Sequence, residues 1–335
     1  MEMAPPQKIL IIQTAFIGDV VLATPIIEAL ATAFPQAQID FLLRKGNESL
    51  LQNHPKLNSI LIWDKKSNKT KNLFRIIFKI RKTKYDAVLN AQRFFSSGLI
   101  TAFSGAKYKA GFDKNPLSFA FSKKVSHEIS SKGTQHETER NLQLIEDFVP
   151  QAKGHIKLYP SSEDFNNTTK YKKDKYIVVA ASSVWFTKQF PVSKWVELIR
   201  EIDNSYNIYL IGAPSDRAQA DEIIHQSKAS NCINLCGEFS MLESAALMQD
   251  AKMNYVNDSA PMHFASAMNA AICAIFCSTV PAFGFGPISE RANIVEIEES
   301  LDCRPCGLHG KKACPEEHFK CANNITTEQL LKVLD

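Results

Sequence analysis

The sequence predicts an α/β protein made of two doubly wound domains with parallel sheets, and three observations support this. Short apolar runs typical of strands alternate with stretches of helical spacing. Each run is almost continuously apolar, as expected for strands covered on both faces in a parallel sheet. The alternation stops in a polar segment, residues 159–175, and then starts again. We therefore expect two successive β–α arrays of similar size, joined by a linker.

The elements of each array follow from these patterns. In the first array the expected strands are 8–13, 38–44, 59–63 and 85–90, and the expected helices are 19–34 and 72–82. In the second array the expected strands are 176–181, 207–212, 232–236, 253–257 and 272–276, and the expected helices are 193–202, 217–226, 241–249, 261–268 and a terminal one at 326–334. The predicted domains are 1–160 and 176–300, followed by a cysteine-rich tail with a terminal helix, 301–335.

Composition and charge exclude several function classes. The chain has 335 residues, of which 45% are hydrophobic and 22% charged, which is typical of a globular protein. A net charge of +4 does not indicate a nucleic-acid partner. The first apolar run ends at Gln13, and the longest one, 270–277, is far below the ~18 residues of a membrane span. We therefore expect a cytoplasmic protein.

Ligands of doubly wound sheets bind beyond the carboxyl ends of strands, so polar residues at those points are candidates for the site. The motif "FIGD" follows the first predicted strand and ends in Asp19. This carboxylate is either an N-cap, worth ~1 kcal/mol, or a general base that takes a proton from a substrate hydroxyl. Gly18 is the only glycine of the loop, which argues against a dinucleotide-binding dehydrogenase.

Two motifs in the second array suggest a phosphate site. In "SSVWFTKQFP" (182–191), small hydroxyl residues follow a strand and Lys188 supplies a positive charge, unless it is only a solvated loop residue. In "NDSAPMHFASAM" (257–268), a helix begins after a strand, and free N–H groups at a helix start bind phosphate. His263 lies in the first turn and is able to donate to the same oxygens. The alternative is a capped helix with a satisfied histidine.

Two further segments are compatible with either structural or ligand-binding roles. Glu243 lies in the first turn of the helix "MLESAALM" (241–248), where it either interacts with the helix dipole or chelates two ribose hydroxyls. The loop "STVPAFGFGP" (278–287) contains two Gly, two Pro and two Phe. It forms either a wall against a base or sugar, or a structural turn.

Four of the eight cysteines lie in the tail, in "CRPCGLHGKKACPEEHFKC". A CxxC pair with two further cysteines is able to bind zinc as Cys₄. The candidate ligands are Cys303, Cys306, Cys314 and Cys321. Reduced structural cysteines and a disulfide are the alternatives.

A basic stretch from Lys65 to Lys84 contains nine Lys or Arg residues and no acidic residue. On a helix, one face is apolar, and the opposite face carries Lys71, Arg75, Lys79 and Lys82, with Phe74 and Phe78 along one side. The apolar face consists of Leu73, Ile76, Ile77 and Ile80. This is either an ordinary solvated face or a surface for anionic lipid head groups or a phosphorylated acceptor.

Taken in order, these motifs resemble those of the ADP-heptose:lipopolysaccharide heptosyltransferases, glycosyltransferase family 9, and most of all the heptosyltransferase II branch. The resemblance rests on "IGDVVLATP", "SSVWFTKQFP", "NDSAPMHFASA", "STVPAFGFGP", the "CRPC…CP…C" tail, "SGAKYKAGFD" and "HETERNL". The chain departs from the family in three places. Ala181–Ser182 replaces a frequent Pro-Gly, Ala260 a frequent Gly, and "KQF" a frequent "KRW".

The resemblance implies a GT-B fold, in which two Rossmann-like domains face a central cleft, the first taking the acceptor and the second the nucleotide sugar. It implies an inverting, metal-independent transfer of heptose from ADP-heptose to the inner core of lipopolysaccharide. No cofactor is then required, although the tail is a candidate for a structural zinc. The partners are the donor and the lipid A-core acceptor, at the cytoplasmic face of the inner membrane.

Residue roles follow from the same resemblance. Asp19 matches the catalytic base. The expected donor-binding residues are Ser182, Ser183, Thr187, Lys188, Glu243, Asp258, Ser259, Ala260, Pro261, Met262 and His263. The expected acceptor-binding residues are Lys71, Arg75, Lys79 and Arg93. The alternatives are a family 9 transferase that uses another nucleotide sugar, a non-catalytic nucleotide-sugar-binding protein, and a metal or redox protein that acts through its tail.

Overall fold

Two parallel sheets of six strands each make up the structure, a computed structural model that describes residues 5–334. Each sheet belongs to its own unit. The first unit contains the residues up to Ile129 and Gln135–Tyr159, and the second contains Ser130–Thr134 and the chain from Pro160 onward. Residues 1–4 and 335, which belong to the predicted first domain and tail, lie outside the described residues.

In the first unit the strand order is β3-β2-β1-β4-β5-β6. The strands are β1 (Lys8–Ile12), β2 (Gln38–Arg44), β3 (Ser59–Trp63), β4 (Ala87–Asn90), β5 (Tyr108–Phe112) and β6 (Lys123–Val125). The helices are α1 (Ile17–Ala33), α2 (Lys69–Thr83), α3 (Phe95–Ala102) and α4 (Glu137–Leu142). The four strands and two helices expected here are confirmed. The sequence patterns missed β5, β6, α3 and α4, which are short or contain polar residues.

The central strand β1 explains why these runs are apolar throughout. Ile9 to Ile12 are fully buried, and Ile11 pairs with Phe41 of β2 on one side and with Leu89 of β4 on the other. Helices cover a parallel sheet on both faces, so neither face of the strand tolerates polar side chains. The loop that follows β1 is thereby held at the carboxyl edge of the sheet.

Helix α1 contains a proline, Pro25, in its interior. Proline has no N–H group, so the carbonyl four residues earlier, that of Val21, loses its usual partner. The hydroxyl of Thr24 donates to this carbonyl at 2.7 Å. The helix therefore continues through Pro25 without leaving a buried acceptor unsatisfied.

In the second unit the strand order is β12-β11-β10-β7-β8-β9. The strands are β7 (Tyr176–Ala180), β8 (Asn207–Leu210), β9 (Cys232–Asn234), β10 (Met253–Asn257), β11 (Ile272–Phe276) and β12 (Ala292–Glu296). The helices are α5 (Ser162–Thr168), α6 (Val192–Glu201), α7 (Arg217–Ser227), α8 (Met241–Gln249), α9 (Ala260–Ala267), α10 (Lys320–Asn323) and α11 (Thr327–Leu331). All five expected strands are present, and β12 is an additional strand that the pattern did not show.

The two sheets share one topology. Counted from the first strand of each unit, both have the order 3-2-1-4-5-6, with all pairings parallel. The order reverses between β1 and β4 in the first unit and between β7 and β10 in the second. Loops that leave adjacent strands at such a switch point form the crevice where ligands of doubly wound folds bind.

The segment 159–175, expected to be an interdomain linker, contains α5 and belongs to the second unit from Pro160 onward. The Oγ atom of Ser161 accepts from the N–H of Asp164 at 3.2 Å, and the Asp164 carboxylate accepts from the N–H of Ser161 at 2.6 Å. After the helix, Lys172 donates to the carbonyl of Ala246 at 2.7 Å. A reciprocal capping box was the sequence signal for this helix.

The carboxyl end of the chain belongs to the core of the second unit. Ala322, Ile325 and Leu330 are fully buried in the cluster that contains Trp195, and Tyr255 donates to the Leu330 carbonyl at 3.0 Å. The terminal helix expected within 326–334 is confirmed as α11.

We expect the substitution Gly111→Ala to destabilise the first unit by about 1–3 kcal/mol, because overpacking strains a buried sheet. A Cβ atom at Gly111 would lie 2.5 Å from the buried ring of Phe121. The matched control is Gly286→Ala, where the nearest atoms are 3.8 Å away. Urea denaturation of both variants is the measurement, and equal stabilities would contradict the packing at β5.

Candidate active site

Asp19 is the third residue of α1, directly beyond the carboxyl end of β1. Its Oδ2 atom accepts a hydrogen bond from the N–H of Phe16 at 3.0 Å. Phe16 is the N-cap residue, so the alternative that Asp19 is itself the N-cap is corrected: it reaches back to the cap from the first turn. A carboxylate has about four lone-pair positions, so this bond is compatible with proton transfer.

The environment of Asp19 makes it a stronger base than an ordinary carboxylate. Burial, followed by the nearby charge of Glu137, raises the pKa of Asp19 to about 6, against the lowering effects of two backbone N–H groups and of Arg44. A general base is most effective when its pKa lies near the working pH. At neutral pH Asp19 is thus ionised and still basic enough to accept a proton.

Glu137 is held in the interior by two partners. Arg140 donates to its carboxylate at 2.9 Å, and Nε2 of His127 lies 3.0 Å from the other oxygen. All three side chains are buried. Helix α4, which carries Glu137, is attached to α1 by a bond from Asn141 to the Leu22 carbonyl at 3.0 Å. The motif "HETERNL" thus brings a buried charge close to Asp19, a role that sequence reasoning missed.

A group of cations, Arg44, Lys65 and Lys69, lies at the same edge of the sheet; we call it the edge cluster. Arg44 ends β2 and stacks over the exposed ring of Phe16 at 5.2 Å. Lys65 follows β3 and donates to the carbonyl of Thr14 at 2.8 Å. Burial and the charges of Arg44 and Lys69 lower the pKa of Lys65 to about 8. Sequence reasoning missed this cluster, although Arg44 and Lys65 both stand at strand ends.

The predicted acceptor residues occupy two places. Arg93 follows β4, the neighbour of β1, and is half-buried. Lys71, Arg75 and Lys79 are exposed on the outer face of α2. The predicted faces of this helix are confirmed, since its buried residues are Leu73, Ile76, Ile77 and Ile80.

Two aromatic rings add to the outer face of α2. Phe74 is 54% exposed and Phe78 is 70% exposed. Within residues 5–334, no helix combines the length and the apolar character needed to cross a bilayer.

In the second unit, the structure brings Lys188 and Asp258 together. Lys188 ends a short 3₁₀ turn (Phe186–Lys188) after β7, and Asp258 follows β10, the adjacent strand. The Lys188 Nζ atom lies 2.7 Å from Oδ2 of Asp258, and Thr279 donates to the same oxygen at 2.6 Å. This ion pair spans the switch point of the second sheet.

The start of α9 provides the second part of this site. Ser259 is the N-cap, and Ser259, Ala260 and Pro261 are half-buried. His263 is buried. Met262 is fully buried, and its N–H donates to the Ser259 carbonyl at 3.1 Å. The side chain and the N–H group of Met262 are thus engaged within the fold, and its expected donor contact stays a prediction.

Thr187 is likewise engaged within the fold, and its expected donor contact stays a prediction. It is fully buried, its N–H donates to the carbonyl of Lys311 at 3.1 Å, and its Oγ1 accepts from the N–H of Lys311 at 2.7 Å. Thr187 thus supports the turn of Lys188 from within. Of the two preceding serines, Ser182 donates to Asp216 at 2.9 Å and the carbonyl of Ser183 accepts from Gln189 at 2.6 Å.

Glu243 stabilises the start of α8 through hydrogen bonds, which is the structural one of the two roles considered from the sequence. Its carboxylate accepts from the N–H of Ser240 at 2.7 Å and from Asn167 at 2.6 Å. Burial raises its pKa, but these hydrogen bonds outweigh that effect and keep the pKa below the ordinary value. Contact with a ribose remains a prediction.

The four tail cysteines are all free thiols, so the disulfide alternative is not what the structure contains. They line a cavity of about 210 Å³ together with Lys311, Glu316 and His318, among others. Across residues 5–334, no group of three or more His, Cys, Asp or Glu side chains is placed so that it could hold a metal ion.

The raised pKa of Asp19 predicts a pH-dependent cost in stability. Because the folded-state pKa of about 6 lies above the ordinary 3.8, folding favours the protonated form, and this contribution is lost as the pH rises through 6. The neutral variant Asp19→Asn escapes the loss. The free energy of unfolding of the variant, relative to that of wild type, should therefore be about 2 kcal/mol higher at pH 7.5 than at pH 4.

Urea denaturation across this pH range is the measurement. The variant Asp19→Ala should show the same rise, since the effect depends on removing an ionisable group rather than on the hydrogen bonds of the amide. A difference from wild type that is independent of pH would show that the carboxyl group is not perturbed.

Comparisons with known proteins agree with this geometry. The profile of glycosyltransferase family 9 (heptosyltransferase) matches residues 73–318. Lipopolysaccharide heptosyltransferase 3 of Escherichia coli is 26% identical over 281 residues, covering 79% of this chain and 82% of the relative. The glycosyl transferase family 9 structure from Veillonella parvula DSM 2008 has a TM-score of 0.83 at 21% identity, covering 100% of this chain and 98% of the other.

The structure of the E. coli ADP-heptose lps heptosyltransferase II has a TM-score of 0.77 at 20% identity, covering 98% of this chain and 97% of the other. These similarities confirm the predicted α/β fold class, two doubly wound sheets of the GT-B type. Since the family profile covers more than half of the chain, the chain belongs to glycosyltransferase family 9 and is a glycosyltransferase.

Proposed function

We propose that this chain is an inverting heptosyltransferase that moves heptose from ADP-heptose to the inner core of lipopolysaccharide without a catalytic metal. The observation that carries the proposal is the Asp19 carboxylate, placed at a strand end with a pKa raised to about 6. The names of the relatives support the substrates, because the similar E. coli proteins are described as acting on lipopolysaccharide or with ADP-heptose.

In this mechanism, a hydroxyl of the acceptor attacks the anomeric carbon from the face opposite the leaving diphosphate. The new glycosidic bond forms as the bond to the diphosphate breaks, which inverts the configuration. The hydroxyl is a poor nucleophile, so Asp19 accepts its proton as the bond forms. General-base assistance of this kind contributes roughly 10²–10⁴-fold to the rate.

The second unit would stabilise the departing diphosphate. Lys188 is held 2.7 Å from Asp258, and we propose that an incoming diphosphate takes over the lysine as counter-ion. The N–H groups at the start of α9, which begins just after Asp258, would add their partial positive charge to the same site. Preorganised positive groups of this kind lower the barrier by meeting charge that develops in the transition state.

The first unit would bind the acceptor by its charge. We assign the acidic groups of the lipid A-core acceptor to the edge cluster and Arg93, because these cations stand at the sheet edge that carries Asp19. The outer face of α2, with Lys71, Arg75 and Lys79 beside Phe74 and Phe78, is proposed to rest on the anionic surface of the inner membrane from the cytoplasmic side.

A family 9 transferase with another nucleotide sugar is the second candidate. It is favoured by the residues Ala181–Ser182 and Ala260, which replace Pro-Gly and Gly that are frequent in the family. A panel of nucleotide sugars with purified protein separates the two candidates. Product from a donor other than ADP-heptose, and none from ADP-heptose, would establish the second one.

We expect Asp19→Asn to lower the transfer rate by about 10²–10⁴-fold while ADP binds with unchanged affinity, because the amide cannot accept the proton. Initial rates and calorimetric ADP titration are the measurements. The control is Asp86→Asn in the same unit, since Asp86 accepts from the N–H groups of Gln7 and Lys8 at the start of β1. Full activity of the Asp19 variant would rule out the base, and loss of ADP binding would indicate a structural role instead.

We expect reversal of Lys71, Arg75 and Lys79 to Glu to raise the apparent KM at least tenfold for a lipid-bearing acceptor in anionic vesicles, since each basic residue near such a surface contributes about 1 kcal/mol. Use of a truncated, water-soluble acceptor and ADP affinity should not change.

The control for this variant carries the same charge change elsewhere, at the exposed lysines Lys173, Lys175 and Lys228. Vesicle co-sedimentation and initial rates with both acceptors are the measurements. Equal effects of the two triple variants, or equal loss with both acceptors, would contradict a membrane role for α2.

A further inference from the structure

The chain between β12 and α10, residues 297–319, contains no helix or strand. Irregular segments of this length in a compact domain are uncommon and usually have a function or a binding partner. Three cysteines of the tail, Cys303, Cys306 and Cys314, fall within this segment and are only partly buried, and Cys321 follows it in α10. The proposed sugar transfer assigns no role to these thiols.

These thiols meet in one small volume although they come from separate parts of the segment. The spacing is C-x₂-C-x₇-C-x₆-C, and all four line the cavity of about 210 Å³. The Sγ atom of Cys306 lies 3.5 Å from the carbonyl of Cys303. Nε2 of His318 lies 3.9 Å from the Sγ atom of Cys303.

Four thiols around one cavity are the ligand set that zinc and iron prefer in proteins. As the described side chains stand, these thiols do not form a group that could hold a metal ion, so binding requires them to change conformation. A cysteine side chain has a single χ1 torsion, and a change between staggered rotamers relocates its sulfur while the backbone stays in place. The site proposed below requires such a change, which would turn the sulfurs toward the cavity that these cysteines line.

We propose that Cys303, Cys306, Cys314 and Cys321 bind one metal ion, zinc or iron, and that this ion fixes the loop that positions Lys188. Each thiol that becomes a ligand releases its proton to the solvent. The ion is structural, so it takes no part in sugar transfer. The metal site stands independently of the proposed function, whereas the consequence for Lys188 rests on it.

The link to Lys188 is made by residues 307–313, the segment between Cys306 and Cys314, which we call the clamp. Lys311 of the clamp exchanges two hydrogen bonds with Thr187, at 3.1 and 2.7 Å. Gly310 has φ +75° and packs so closely that a Cβ atom there would lie 2.9 Å from Thr187 Oγ1. Because a cysteine flanks each end of the clamp, an ion bound to both would hold it against the turn.

A second contact joins the tail to the turn that carries Lys188, on the side of the segment that leads to Cys321. The ring of Phe186 stacks on that of Phe319 with centroids 5.3 Å apart, and Cys321 lies two residues beyond Phe319. The tail thus contacts both residues that precede Lys188. Loss of the ion should loosen this turn and leave the distant sheet unchanged.

The first test is the metal content of full-length protein purified without chelators and under reducing conditions. We expect close to one equivalent of zinc or iron per chain by mass spectrometry of the metals, and loss of that metal in the double variant Cys303→Ser/Cys306→Ser. The control is Cys232→Ser, since Cys232 lies in β9, outside the cluster. Cobalt added to metal-free protein should give the strong visible absorption of tetrahedral thiolate coordination.

The second test measures ADP affinity with and without the metal, by calorimetry. Removal should weaken ADP binding about tenfold, in the range seen when residues that orient a site are lost, with an unchanged far-ultraviolet circular dichroism spectrum. In a Lys188→Ala background, removal should cause no further loss, because the group that the clamp positions is gone. An equal loss in both backgrounds would overturn the link to Lys188.

Two results would overturn the metal site itself. One is wild-type protein that retains less than a tenth of an equivalent after incubation with Zn²⁺ or Fe²⁺ and gel filtration. The other is equal metal retention by wild type and the double cysteine variant. Both are measured without sugar transfer, so they are distinct from a failure of the proposed function.

Discussion

The proposed chemistry of the first unit depends on one carboxyl group, Asp19, which is partly withdrawn from water at the first turn of α1. Asp19 stands there because β1 is the central strand and its carboxyl end is the switch point of the sheet. The Phe16 N–H group holds one of its oxygens, while burial and Glu137 work against its ionisation. Fixed orientation and raised basicity are the two properties that a general base requires.

The second unit has the same sheet topology, but the residue of interest at its switch point is a cation, Lys188. Its switch point lies between β7 and β10, and the loops that leave these strands supply Lys188 and Asp258. The lysine is kept in place by an acid, a buried threonine below it and the clamp of the tail. A cation prepared in this way is suited to a diphosphate, because its position is set before the ligand arrives.

Apolar runs were sufficient to locate most of the sheets. The strands at 38–44, 59–63, 253–257 and 272–276 have the bounds that hydrophobicity alone predicts. In contrast, β5 reads "YKAGF" and β6 has three residues, so neither has a long apolar run. Helix α5 was missed because its stability comes from a capping box in a polar segment, not from an apolar face.

The site was predictable only in part, because pairings between distant residues have no sequence pattern. Asp19 and Lys188 were identified from their places after strands, and the family resemblance gave them roles. The buried group of Glu137, Arg140 and His127 and the contact between Thr187 and Lys311 arise from tertiary packing across long separations in sequence. The burial of Thr187 and Met262 was likewise not visible in the sequence.

The pH dependence of kcat/KM for transfer from ADP-heptose tests the central claim most directly. If Asp19 is the base, kcat/KM should fall tenfold for each pH unit below an apparent pKa near 6, the value that burial and Glu137 impose on this carboxyl group. A profile that stays flat down to pH 4.5 would contradict the claim, because an essential base with this pKa would be protonated there.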